Sequence, residues 1–125
     1  MRGEVDQLTP GGREVRAPLS RAMPPTAALT LAWRPRDRPW TAWISARAAD
    51  GQDRLSLKDA TDSRRIPPGG TPGYAVLSFG AGCRLGEHAR IAAALENVFS
   101  RDYRIHGSGV NEPGRDLVVT FEVTF

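Results

Sequence analysis

The side chains able to do chemistry are few and scattered. His88 and His106 are the two histidines, and neither has a cysteine, histidine or carboxylate at finger or zincin spacing. Cys83 is the one cysteine, so no intrachain disulfide or cysteine metal cluster can form. It falls within an apolar alternation, where a small packed thiol is the expected role. No GxSxG nucleophile elbow occurs. Gly107, Gly109 and Gly114 do not fit GxGxxG, and their run neither follows a strand nor opens a helix. The 14 acidic residues form no recognisable general acid–base pair. The sequence therefore predicts no enzyme, no metal site and no cofactor. The 17 basic residues are all arginine except Lys58, and the formal net charge is +3. The arginines are spread out, with no basic stripe carrying interleaved aromatics, so no nucleic-acid partner is expected. What remains is loop chemistry. Tyr103, Arg104, His106, Asn111 and Arg115 share the polar stretch Arg101 to Arg115, and arginines with aromatics suit contact with an anionic group.

The elements that must position these loops repeat every two residues. Asp116 to Phe125 places Leu117, Val119, Phe121, Val123 and Phe125 on one face and Asp116, Val118, Thr120, Glu122 and Thr124 on the other. Tyr74 to Leu85 places Ala75, Leu77, Phe79, Ala81, Cys83 and Leu85 together, opposite Ser78, Gly80, Gly82 and Arg84. Glycines opposite an apolar face predict that something crowds that second side. Thr26 to Arg34 aligns Ala27, Leu29, Leu31 and Trp33; Trp40 to Ala48 aligns Ala42, Ile44, Ala46 and Ala48. Arg2 to Gln7 could end a further strand. Arg90 to Phe99 puts Ile91, Ala93 and Leu95 on one face, but its alanines, leucine and glutamate favour helix equally.

The 13 glycines and 10 prolines fall mainly between these segments. Pro35 to Pro39 and Gly86 to His88 are short turns; Leu8 to Pro25, Asp50 to Gly73 and Arg101 to Arg115 are long polar connections. Long connections alternating with short turns are the layout of an outer-membrane β-barrel, and strands of about nine to twelve residues suit a tilted crossing. Loops beyond about 12–15 residues are uncommon in compact soluble domains. No apolar run is long enough for a transmembrane helix. The alternative is a soluble β or α+β binding module with residues 90–99 helical. The alternation shared by both readings puts Arg34, Arg47, Arg84, Arg90, Glu96 and Glu122 opposite the apolar faces.

Several stretches then carry a family likeness. Arg47 to Leu55 (RAADGQDRL), Arg65 to Gly82 (RIPPGGTPGYAVLSFGAG), Leu95 to Tyr103 (LENVFSRDY), Arg104 to Arg115 (RIHGSGVNEPGR) and the terminal alternation ending at Phe125 occur in order. Together they resemble the C-terminal barrel region of TonB-dependent outer-membrane receptors, from about Gly3 to Phe125. The resemblance implies an all-β, antiparallel up-and-down meander of about five strands, a segment of a 22-stranded barrel. It implies a parent in the outer membrane that imports a ferric siderophore, haem, cobalamin or a similar scarce nutrient, driven through TonB. Residues 1–125 are then expected to be the C-terminal part of the barrel, with no plug, TonB box or signal peptide, and not competent for transport alone. Expected partners are outer-membrane lipid, the barrel-assembly machinery, the plug and remaining strands, and the iron chelate. By the same resemblance Phe121, Val123 and Phe125 carry the C-terminal assembly signal. Trp33, Trp40 and Trp43, around the turn at Pro35, are expected in the interfacial aromatic belt.

Overall fold

A computed structural model describes residues 4–125; Arg2, in the first expected strand segment, lies outside the described residues. The chain is all-β apart from one helical turn. It comprises β1 (Glu4–Leu8), β2 (Glu14–Pro18), β3 (Thr26–Trp33), β4 (Trp40–Ala49), α1 (Leu57–Thr61), β5 (Tyr74–Leu85), β6 (Ala89–Glu96) and β7 (Asp116–Val123). Strands β3 to β7 form one antiparallel sheet in sequential order, the expected five-stranded meander. The chain divides into two compact units. One holds residues 27–48, 75–102 and 113–125, which carry this sheet; the other holds residues 4–26, 49–74 and 103–112.

Within the sheet unit, residues 89–96 form a strand, so the helical alternative for residues 90–99 is not what folds. Strand β6 pairs with β5 from Phe79↔Leu95 to Leu85↔Ala89, and with β7 from Ala89↔Val123 to Glu96↔Asp116. The alanines of β6 permit either state. Two strongly alternating neighbours decide between them, because a strand here satisfies the inner edges of both β5 and β7. A helix would leave those backbone groups unpaired, and so short a helix is marginal alone. The connection from β5 turns at Gly86, whose φ of +75° lies in the region open to glycine.

The loop unit contains more structure than the connections suggest. Strands β1 and β2 pair as a separate antiparallel hairpin, from Glu4↔Pro18 to Leu8↔Glu14. Its turn is closed by bonds from Thr9 N to Arg13 O (2.9 Å) and from Gly12 N to Thr9 O (2.8 Å). The stretch Leu8 to Pro25, expected as a plain connection, thus contributes a strand of its own. In the next connection a bridge joins Gln52 and Thr71, with N–H···O bonds of 2.8 and 2.9 Å in the two directions. A Cβ on Gly70 would collide with Gln52 O, and one on Gly73 would lie 2.9 Å from Ala49 O and Gly51 N. Only glycine admits so close a backbone approach.

The buried apolar residues among those described are Ala17 and Ile66, both in the loop unit. The sheet unit has no buried apolar core residue among the described ones. Leu29, Leu31, Leu117, Val119 and Phe121 are each between 61% and 64% exposed. A water-soluble sheet buries one face on a second layer.

Candidate functional site

The sheet is two-faced on every strand. In an antiparallel ladder, directly opposed residues point to the same side. The registers therefore place Phe79, Ala81, Cys83 and Leu85 with Leu95, Ala93, Ile91 and Ala89, and these with Leu117, Val119, Phe121 and Val123. The opposite side carries Gly80–Ala94–Val118, Gly82–Ala92–Thr120 and Arg84–Arg90–Glu122 as cross-strand rows. Contacts on this second side extend it to the other two strands. Thr30 and Ser45 hydroxyls lie 2.9 Å apart, and Thr41 Oγ1 donates to Gly82 O at 3.4 Å. By strand parity Leu29, Leu31, Trp33, Trp40 and Ile44 then join the apolar side. A shallow apolar depression of about 410 Å³ lies in this unit, lined in part by Leu29, Ala46, Ala48, Leu77 and Phe99.

Trp43 crowds Gly80, and Thr41 crowds Gly82. A Cβ on Gly80 would lie 2.6 Å from Trp43 Nε1, and one on Gly82 would lie 3.1 Å from Thr41 Oγ1. Trp43 is half-buried over Gly80 on the side of the charged rows, whereas Trp33 and Trp40 are each 56% exposed. The three tryptophans are neighbours in sequence but not on one face. Phe121 and Val123 lie on edge strand β7, and Phe125 extends beyond it, fully exposed. Thr124 N still donates to His88 O at 2.9 Å, one residue past the strand.

Asn97 organises the exit from β6. It is buried, with φ +46°, a left-handed conformation that asparagine tolerates better than most residues. Its side-chain nitrogen donates to Arg101 O (2.7 Å) and Pro113 O (3.1 Å), and its side-chain oxygen accepts from Arg101 N (2.9 Å). Its backbone N–H donates to Ser78 Oγ at 3.2 Å. One side chain thereby closes both ends of the long connection. The asparagine within LENVF thus has a physical role that strand alternation could not reveal. The turn-forming habit of asparagine directly after an alternating strand was the available signal.

In the loop unit, Asp59 ties α1 to residues 20–21. Ser20 Oγ donates to Asp59 Oδ1 (2.9 Å) and Arg21 N to Oδ2 (2.8 Å). Ser56 caps α1, its Oγ accepting from Asp59 N at 3.1 Å. Burial alone would raise the Asp59 pKa; the Arg21 N–H and the Ser56 and Ser20 donors outweigh it and hold the carboxyl below its usual range. The pattern Ser56-x-x-Asp59 is a legible helix-start signature. The contacts to residues 20 and 21 are not legible, because they span 38 and 39 positions.

The loop residues singled out from sequence are divided between the units. His106 is buried, its Nδ1 sharing a 2.9 Å hydrogen bond with Thr71 Oγ1. Tyr103 packs against Tyr74, ring centroids 4.4 Å apart at 41°. Arg104 Nε donates to Asn111 Oδ1 at 2.9 Å. Arg115 is exposed in the sheet unit, where its N–H approaches Ser100 Oγ at 3.5 Å. His106, Tyr103 and Arg104 thus hold the connections together locally. No cluster of three or more His, Cys, Asp or Glu suited to a metal ion occurs among the described residues.

No family model matches the sequence, and no curated protein matches it. Among solved structures the chain is similar to one described as "Copper transporter OprC", with a TM-score of 0.68 and 22% identity. The match covers 87% of this chain and 18% of that one. The likeness shows the fold: this chain folds like a stretch of the transporter amounting to less than a fifth of its length.

Proposed function

We propose that this chain is a stretch of barrel wall from a TonB-dependent outer-membrane receptor, and that the parent protein imports a ferric siderophore or a similarly scarce nutrient. One observation carries the reading. The leucine, isoleucine and phenylalanine side chains of all five strands share one side of the sheet, and no second layer of the sheet's own unit covers it. In a barrel wall the cover is lipid, which requires apolar residues at every second position and a fully paired backbone. The likeness to a transporter over 87% of the chain supports the same assignment. That neighbour is described as a copper transporter, so a metal species as cargo is common to it and to the family resembled.

The edges explain why the chain does not transport alone. Strands β3 and β7 are terminal in the sheet order, so each has one unpaired side. Closing even a small barrel takes about eight strands. The remaining strands of the parent pair with these edges, and a plug, coupled to TonB, fills the lumen. The assembly machinery reads Phe121 and Val123 on β7 together with Phe125 just beyond it. The long connections then face the cell exterior, where Tyr103, Arg104, His106, Asn111 and Arg115 shape the outer loops. The short turns face the periplasm, and Trp33 and Trp40 sit in the interfacial belt.

Hydrodynamic measurement of the purified 125-residue chain tests this. In plain buffer it associates through its edges and apolar face. In detergent it becomes one defined protein–micelle particle with β-rich circular dichroism. A monodisperse, folded monomer in buffer alone would refute the reading.

A further inference from the structure

The turn between β3 and β4 reads Trp33-Arg34-Pro35-Arg36-Asp37-Arg38-Pro39-Trp40, three arginines and two prolines between two tryptophans. Arg34, Arg36 and Arg38 are exposed, and none of them forms an ion pair among the described residues. Trp33 and Trp40 flank them, each 56% exposed, on the apolar side of the sheet. Pro35 and Pro39 restrict the backbone, so little chain entropy is left to lose when the arginines engage a partner. The end of the turn is fixed to β5, because Arg84 N donates to Pro39 O at 3.0 Å. We propose that this turn is a binding site for anionic phospholipid headgroups; the proposal rests on the barrel-wall reading above.

Charge and position choose the occupant. Three guanidinium groups face one carboxylate, Asp37, leaving a local excess of two positive charges. Guanidinium forks match phosphate oxygens with paired hydrogen bonds. Exposed indoles prefer the depth of lipid headgroups, with the ring in the acyl boundary and the N–H toward water. Trp33 and Trp40 continue the apolar side of Leu31 and Ile44, so a lipid whose tail lies along that side has its phosphate beside the turn. The second short turn, Gly86 to His88, has neither the arginine triplet nor a tryptophan.

The test uses the whole chain and tryptophan emission, titrated with phosphatidylcholine vesicles and with vesicles also containing phosphatidylglycerol. Each basic residue near an anionic surface contributes about fivefold in binding, so two net charges predict roughly 25-fold tighter binding to the anionic vesicles. High salt abolishes the difference. Replacing the triplet (Arg34→Gln, Arg36→Gln, Arg38→Gln) brings the ratio below about fivefold. The corresponding Arg→Lys triple variant keeps it above that value, which shows that the turn still folds. Equal binding of the unaltered chain to both vesicles, or a full preference retained by the glutamine variant, would overturn the headgroup site and leave the barrel reading standing. Binding to neither vesicle would overturn both.

Discussion

Replacing Asn97 by alanine tests whether one side chain closes the long connection between β6 and β7. The substitution removes three side-chain hydrogen bonds: two to the carbonyls of Arg101 and Pro113, and one from the Arg101 N–H. At about 1 kcal/mol net for each, the loss is about 3 kcal/mol. Alanine also fits the φ of +46° poorly, which adds about 1 kcal/mol. Asn97→Ala therefore destabilises the sheet unit by about 4 kcal/mol, whereas Asn97→Gly, free of the backbone penalty, costs about 3 kcal/mol. With a urea m-value of about 1.5 kcal/mol/M, the alanine variant lowers the unfolding midpoint in mild detergent by roughly 2–3 M. Far-UV circular dichroism follows the transition. Amide hydrogen exchange reads the local effect, with lost protection expected at Arg101. A midpoint within experimental error of the unaltered chain would refute the clamp. A glycine variant weaker than the alanine one would refute the backbone part of the reasoning.

Further outcomes follow from the same contacts. Gly80→Val places side-chain atoms where the Trp43 indole lies, since even a Cβ would be 2.6 Å from Nε1. It should cost about 1–3 kcal/mol and shift Trp43 emission in a Trp33→Phe, Trp40→Phe background, while Ala81→Val on the other face should not. Asp59 titrates below its ordinary range, so its stabilisation of the loop unit is complete above the ordinary aspartate value of 3.8 that it has when unfolded. That contribution is lost as the pH falls through the lowered folded value. Hydrogen exchange at Arg21 should accelerate across that acid window, and Asp59→Asn should remove the dependence.

Much of the sheet was legible because alternation is local information. In β5 and β7, apolar and polar residues trade places at nearly every step, and the registers pair like with like. In β6, Ala89, Ala92, Ala93 and Ala94 blur the signal, and only two strand neighbours resolve it. The hairpin of β1 and β2 has only a small apolar side, Val5, Val15 and Ala17; Arg2 to Gln7 was legible as a possible strand end, but its partner, residues 14–18, was lost within a polar, breaker-rich connection. The glycines at 80 and 82 announced crowding, but parity alone did not name Trp43 as its cause at 80 or Thr41 at 82. The loop unit was least legible. Its ties run from Asp59 to Ser20 and from His106 to Thr71, and such distant partners leave no periodic trace in the chain.

The barrel-wall assignment is tested most directly by asking which face of the sheet meets lipid. Cys83 is the single cysteine and lies on the apolar side beside Ile91, while Thr120 lies on the opposite side in the neighbouring row with Ala92 and Gly82. A nitroxide is placed on Cys83, or on Thr120→Cys in a Cys83→Ser background, and the chain is reconstituted in bilayers. If the apolar side is the lipid face, the label at 83 collides with dissolved oxygen and is shielded from a water-soluble nickel chelate, and the label at 120 shows the reverse. Equal exposure of both labels to the nickel chelate, or the inverse pattern, would contradict it.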